Sequence, residues 1–276
     1  MRIRSIAVTT ALLAVSADAA AQSVGNMLKD DFKYAAKDIG AVWAAPFDGS
    51  GKDWAIAGVS LAAVGLSMFG DQAASDWAVD VSDTWFFEKP LKPLRRGGWL
   101  FSGKYVVPPV AAMYIIGIAT KNQGMRDWVM GCAAGYGAQL APRRALAIIF
   151  GRARPDTMPT DPQHWGLGEG RGNWQMRSFP AGHFANVMGC ATFTNKRFKL
   201  GVAEPFIYAI AAGVGVGRMA DEAHWLSDSV FGGLLGYAIG SEVARRSLDR
   251  KNARSVPSVN VSPGIGSTSV SLTWTF

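Results

Sequence analysis

Three histidines occur in the 276-residue chain, and two of them stand in settings suited to phosphate chemistry. A first motif, Gly151-Arg152-Ala153-Arg154-Pro155, carries no histidine. Pro155 disfavours helix at the residue before it, so a helix should end near Arg154 and leave guanidinium groups at its mouth. Guanidinium is always charged and presents a planar fork of donors matched to phosphate oxygens. The second motif is Ser178-Phe179-Pro180-Ala181-Gly182-His183, followed by an apolar run. His183 should lie in the first turn of a helix beside unpaired backbone N–H groups, and Gly182 would let a ligand approach the backbone closely. The third motif is Gly217-Arg218, then five residues, then His224-Trp225-Leu226-Ser227-Asp228. The i, i+4 spacing places His224 and Asp228 on one helix face, where the carboxylate would hold one ring N–H and leave the other nitrogen as a nucleophile. Arginines around a fixed imidazole suit phosphoryl transfer, which chiefly needs an in-line nucleophile and positive charge on the equatorial oxygens.

Composition limits what can position these residues. With 49% hydrophobic and only 18% charged residues, the chain excludes a disordered polypeptide and must bury a large core. The net charge of +7 raises nucleic acid as a partner, but the basic residues are scattered and form no aromatic-interleaved patch, so no nucleic acid is expected. Anionic membrane surfaces and phosphorylated substrates fit the charge better.

Residues 1–21 carry Arg2 and Arg4, an apolar stretch and the small run Ala19-Ala20-Ala21, and read as a signal peptide of an exported protein. A polar, helical segment over 22–53 precedes a helical domain over 54–250, and 251–276 forms a tail. Apolar, helix-compatible runs at 54–69, 105–120, 128–150, 183–194, 200–216 and 225–243 predict an all-α bundle of about six main helices. Gly and Ala recur inside these runs, permitting close helix approach. Several runs are short for a bilayer. Charge asymmetry places the basic clusters 196–199 and 245–254 on the cytoplasmic side, with the 154–177 loop and Arg218 outside. Six spans would then put 22–53 in the cytoplasm, whereas a cleaved signal peptide puts them outside. Either the N-terminus is retained, one run does not span, or the bundle only dips into a membrane. The tail alternates polar and apolar over 258–262 and 269–276 about a Pro263-Gly264 turn, which predicts a β-hairpin. Cys132 and Cys190 would pair in an oxidising compartment or pack as small hydrophobes, and packing is the favoured reading. Trp77, Trp85, Phe86, Phe87 and Trp99 read either as an interfacial lid or as core.

The three ordered motifs resemble the type 2 phosphatidic acid phosphatase (PAP2) superfamily, which includes membrane lipid phosphatases and soluble periplasmic acid phosphatases. Its pattern is Lys, six residues and Arg-Pro; then Pro-Ser-Gly-His; then Ser-Arg, five residues, His, three residues and Asp. Arg154-Pro155, Pro180-Ala181-Gly182-His183, and Gly217-Arg218 with His224 and Asp228 keep that spacing. The resemblance implies a PAP2-like helical bundle in which His224 attacks phosphorus to form a phosphohistidine, oriented by Asp228. It implies that Arg154 and Arg218 hold the phosphoryl oxygens, that His183 protonates the leaving oxygen, and that no metal or other cofactor takes part. The expected activity is a metal-independent phosphatase of the cell envelope, membrane-associated with its site facing the periplasm. Its substrate would be a lipid phosphate or pyrophosphate, including phosphorylated isoprenoid carriers. The alternatives are a transferase moving a phosphoryl or phospholinked sugar group through the same pocket, and a non-catalytic lipid-phosphate-binding protein.

Three positions depart from the pattern: Ala147 stands at the family Lys, Ala181 at the family Ser, and Gly217 at the Ser before Arg218. One cation and two hydroxyl donors are lost, and each charge-assisted bond removed costs about 1.5–3 kcal/mol. Arg143 and Arg144 lie one helical turn before Ala147 and are candidates to replace the cation; Arg152 and Arg177 are also available. Arg144 and Gly182 are counted with the substrate-binding residues.

Overall fold

The small residues of two helices set how closely the bundle packs. The computed structural model describes the backbone of residues 3–82, 84, 103–255, 258–264 and 267–273, and the side chains of 23–82, 84 and 104–253. In chain order the helices are α1 (Ile3–Asp48), α2 (Gly51–Ser67), α3 (Asp71–Ser82), α4 (Gly103–Ala119), α5 (Gln123–Phe150), α6 (Gly182–Phe198), α7 (Glu204–Ala220) and α8 (Leu226–Ser255). All six predicted runs are helical, and α1 and α3 join them. A methyl group on Gly232, Gly236 or Gly240 of α8 would meet the backbone oxygen of Ala181, Ala185 or Gly189 at 2.6, 2.4 and 2.3 Å. This i, i+4, i+8 row lets α8 lie directly on the α6 backbone, as the recurrent Gly and Ala predicted. Around that contact α5 adds Ala134 and Ala138, α6 adds Phe193, and α8 adds Ile239, Val243 and Ala244 to form the core.

The crossing of α5 and α6 corrects the reading of the cysteines. Cys132 of α5 and Cys190 of α6 are joined as a disulfide, because the crossing brings their Cα atoms to 4.7 Å, within disulfide reach. Spacing along the chain carries no information about that crossing.

The segment read as polar and helical is a structural strap. Asp38 of α1 is buried and accepts from Arg246 Nε at 2.8 Å and from the Arg250 fork at 2.7 and 2.8 Å. Asp31 accepts the Arg126 fork at 2.8 and 3.0 Å and the Tyr114 hydroxyl at 2.9 Å, fastening α1 to α5 and α4. Arg197 at the end of α6 reaches Asp127 at 2.6 Å and Ser247 at 2.8 Å. Three arginines of the two basic clusters thus work as cross-links between helices.

Outside the core, large apolar side chains are exposed on several helices. Val59, Leu61 and Leu66 of α2, Phe69 after it, and Val202 and Phe206 around α7 are exposed. By length and composition, Gly51–Ser82 is long and apolar enough to cross a membrane, with mean hydropathy 1.4 over its most apolar window. Trp77 lies on its exposed side, while Trp85, Phe86, Phe87 and Trp99 lie outside the described residues. In the tail β1 (Ser258–Gly264) pairs antiparallel with β2 (Ser267–Thr273). The hairpin expectation holds with its turn moved: Pro263 and Gly264 are paired within β1, opposite Thr268 and Ser267.

Arg152, fully buried, joins the end of α5 to the starts of α3 and α8. Its fork reaches Asp71 at 2.5 Å and both Asp228 and Ser227 at 2.7 Å, with Nε on the Pro162 carbonyl at 3.0 Å. Asp71 in turn accepts the Ser227 N–H at 2.7 Å, satisfying an orphan donor in the first turn of α8. Trp165 lies over the guanidinium at 4.7 Å.

Two stability outcomes follow from these networks. Asp38→Ala leaves Arg246 and Arg250 without their shared acceptor and lowers stability by about 2 kcal/mol, read as a fall in the thermal midpoint of the detergent-purified protein. Arg152→Ala leaves two buried carboxylates uncompensated and costs about 3–5 kcal/mol at neutral pH. Its deficit relative to the unmodified protein narrows as pH falls, because protonating Asp228 removes a charge that Arg152 no longer balances; thermal melts across the acid range read this.

Candidate functional site

The three sequence motifs converge on one cavity of about 190 Å³. The last turns of α5 supply Arg143, Arg144 and Ala147, and the long loop after α5 supplies Arg154, Trp174 and Arg177. Pro180 leads into the first turn of α6 with Gly182 and His183, and His224 stands just before α8. Among the described residues, four arginines and two histidines line the space and no carboxylate does. The loop leaves α5 through Gly151, whose φ of 54° is left-handed and whose Cα faces the Gly166 carbonyl, so that a side chain there would collide. That turn sends Arg152 into the core and leaves Arg154 at the cavity.

His224 differs from its predicted setting. It precedes α8 rather than lying on a helical face with Asp228. Its Nδ1–H donates to the Ser178 carbonyl at 2.5 Å; a carbonyl only accepts, so this bond fixes the tautomer and leaves Nε2 with its lone pair. Asp228 instead accepts the Ser178 hydroxyl at 2.5 Å, the Trp225 N–H at 2.9 Å and Arg152 at 2.7 Å. It therefore grips the residues on both sides of the imidazole's bond rather than the imidazole itself. The physical reason is local: Asp228 is the third residue of α8, where a carboxylate caps the helix start by bonding the backbone of Trp225. Burial raises the Asp228 carboxyl above the usual range, opposed by Arg152, the Ser178 hydroxyl and the Trp225 N–H.

The arginines divide by what holds them. Arg154 lies over the Trp174 ring at 4.4 Å, and its buried Nε has no hydrogen-bond partner among the described residues. Burial lowers its pKa, an unfavourable setting that an anion in the cavity would relieve. Arg218, in the last turn of α7, pairs with Asp221 at 2.8 Å and is not among the lining residues. Its charge still reaches the cavity, as the largest electrostatic influence on both histidines. Arg177 is taken up by the Gly170 and Arg171 carbonyls. Arg152 is corrected outright: it is sealed in the core with Asp71 and Asp228 and gives the cavity no cation. Gly182 lines the cavity, and the Arg143 guanidinium occupies the space that a side chain there would take.

Ala181 is wholly buried, with its N–H on the Asp228 carbonyl at 3.1 Å. Ser178, three residues earlier, turns its hydroxyl to Asp228 and does not replace the lost donor. Ser178, Asp71 and Trp174 are residues to which the sequence reading gave no role. Ser178 stood inside the second motif, but its task is a backbone carbonyl, which residue type does not reveal.

Both histidines are held neutral. Burial, then the charges of Arg218, Arg143 and Arg154, push His183 down to about 4. Burial, then Arg218 and Arg154, push His224 well below the ordinary imidazole value. A neutral His224 with Nδ1 already committed presents its unprotonated Nε2 over a wide pH range.

Part of the chain is similar to known proteins. Residues 128–251 match the model of the PAP2 superfamily. A lipid A 1-phosphatase of Porphyromonas gingivalis is 25% identical over 142 residues, covering 49% of this chain. The chain spans 28% of that relative's length. No solved structure matches. The matched stretch runs from within α5 to within α8 and includes all three motifs, so over residues 128–251 the chain is similar to the PAP2 superfamily.

Proposed function

We propose that the protein is a metal-independent phosphatase of the cell envelope that hydrolyses a lipid phosphate or pyrophosphate through a phosphohistidine. The observation that carries this is His224, pinned at Nδ1 by Ser178 and free at Nε2, in an arginine-lined cavity without carboxylates. The relative's activity on lipid A and the exposed apolar flank of α2 support a phosphate on a lipid. The reading extends to a signal peptide over 1–21, a working domain over 54–250, and a site facing the periplasm.

The Nε2 lone pair of His224 attacks phosphorus, and the bond from phosphorus to the leaving oxygen breaks as the N–P bond forms. Arg154 and Arg218 carry the charge on the remaining oxygens. His183 gives its proton to the leaving oxygen and then takes one from the water that attacks the phosphohistidine, releasing phosphate and restoring His224. The substrate dianion offsets the arginines that depress His183 and so raises its pKa once bound, which lets it hold the proton it must deliver. Asp228 is a positioning residue that acts through Ser178 and Trp225.

The test is release of inorganic phosphate by the detergent-purified chain from a panel of soluble and lipid phosphates and pyrophosphates, with and without chelator. Turnover should survive chelator and fall by about three orders of magnitude or more in His224→Ala. Activity that is unchanged in that variant refutes the mechanism. Silence of the folded protein across the panel moves the reading to a transferase or a binding protein. His183→Asn should slow alkyl phosphates by about 10²–10⁴ and phenyl phosphates with good leaving groups much less, because only the former need the proton.

The pH dependence has a defined sign. In free enzyme His183 loses its proton as pH rises through about 4, so kcat/KM should fall toward neutrality from an acid optimum. The corresponding fall in kcat should lie at higher pH, because bound phosphate raises the same group. Coincident limbs would remove His183 as the proton donor.

A further inference from the structure

We infer that Arg143, which lies outside the PAP2 motifs, is the cation that closes the phosphoryl cavity in this chain and stands in for the lysine absent at Ala147. The inference rests on the reading of the cavity as a phosphate site and assigns the contact that this site would otherwise lack. Of the four arginines near the vacancy, the structure removes three. Arg152 is consumed by Asp71 and Asp228 in the core, and Arg177 is tied to two loop carbonyls. Arg144 lies exposed at the rim. Arg143 is half-buried, lines the cavity, and has a buried Nε with no hydrogen-bond partner among the described residues.

Its position is set by Gly182. A Cβ on Gly182 would stand 2.2 Å from a terminal nitrogen of Arg143 and 2.8 Å from its guanidinium carbon. The guanidinium therefore lies on the first turn of α6, next to His183, where the helix also presents unpaired N–H groups. Ala147 lines the same cavity one turn further along α5. A long arm from position 143 thus delivers charge to the wall where a shorter arm from 147 would have done so. Both the small residue at 147 and the absent side chain at 182 leave the room that the guanidinium uses.

The experiment measures binding of inorganic phosphate to the detergent-purified full chain by calorimetry, with thermal midpoints recorded for each variant. Arg143→Ala should weaken phosphate binding about tenfold or more. Adding Ala147→Lys to that variant should recover most of the loss, since it returns a cation to the same wall from the motif position. Gly182→Ala, whose new methyl displaces the flexible end of Arg143, should reproduce the loss with Arg143 present. Arg143→Gln keeps the stem and its packing, and serves as the first variant if Arg143→Ala does not fold. Unchanged binding in the folded Arg143 variants, no recovery with Lys at position 147, or no phosphate binding by the unmodified chain overturns the assignment. Orthophosphate binding requires no turnover, so the two readings fail separately. Binding lost and recovered beside a silent substrate panel keeps Arg143 and removes the phosphatase. Turnover dependent on His224 beside indifferent Arg143 variants does the reverse.

Discussion

A single buried guanidinium organises the site by closing a ring of bonds around the imidazole. Arg152 holds Asp228 by its fork, and its own backbone carbonyl accepts the Ser178 N–H at 3.0 Å. Ser178 gives its hydroxyl to Asp228 and its carbonyl to His224 Nδ1. Asp228 also takes the N–H of Trp225, the neighbour of His224. Every member of the ring is buried, so each bond works where competing water is excluded and a broken one would leave a polar group unsatisfied. The second carboxylate, Asp71, balances the remaining charge and ties in α3. What the cavity receives from all this is one imidazole with one tautomer and a fixed ring plane.

The cavity and the core therefore use arginine in opposite ways. In the core Arg152 meets two carboxylates and is neutralised in place. In the cavity Arg143, Arg144 and Arg154 face no carboxylate in the lining, and burial already disfavours the charge on Arg154. Such a set is costly when empty and is relieved by a bound anion, the electrostatic form of a site complementary to its ligand. Burial, reinforced by the same uncompensated charge, holds both histidines neutral.

The scaffold keeps these groups in place by close backbone contact. The glycine row of α8 on α6, the disulfide from α5 to α6, and the ion pairs of Asp31 and Asp38 bind α5, α6 and α8 to one another and to α1. Polar cross-links lie inside and apolar side chains outside, an arrangement shared with helices packed in lipid, where interior packing cannot rely on water being expelled.

Much was legible in the chain before any coordinates. Helix positions followed from apolar runs, the site from three motifs at fixed spacing, and the close helix contact from recurrent Gly and Ala, because each of these is written in residue types at short range. Partner choice among charged and polar groups was not. The i, i+4 spacing of His224 and Asp228 implied a direct bond, yet the helix begins two residues after His224 and the carboxylate is drawn to cap it. Arg143 and Arg144 stood as candidates to replace the missing lysine with Arg152 and Arg177 also available, and the left-handed turn at Gly151 sent Arg152 into the core. The two cysteines looked like filler until a helix crossing brought them together. Residue type and spacing determine which chemistry is available. Only the tertiary structure decides which donor meets which acceptor, because those pairs are set by contacts between segments far apart in the chain.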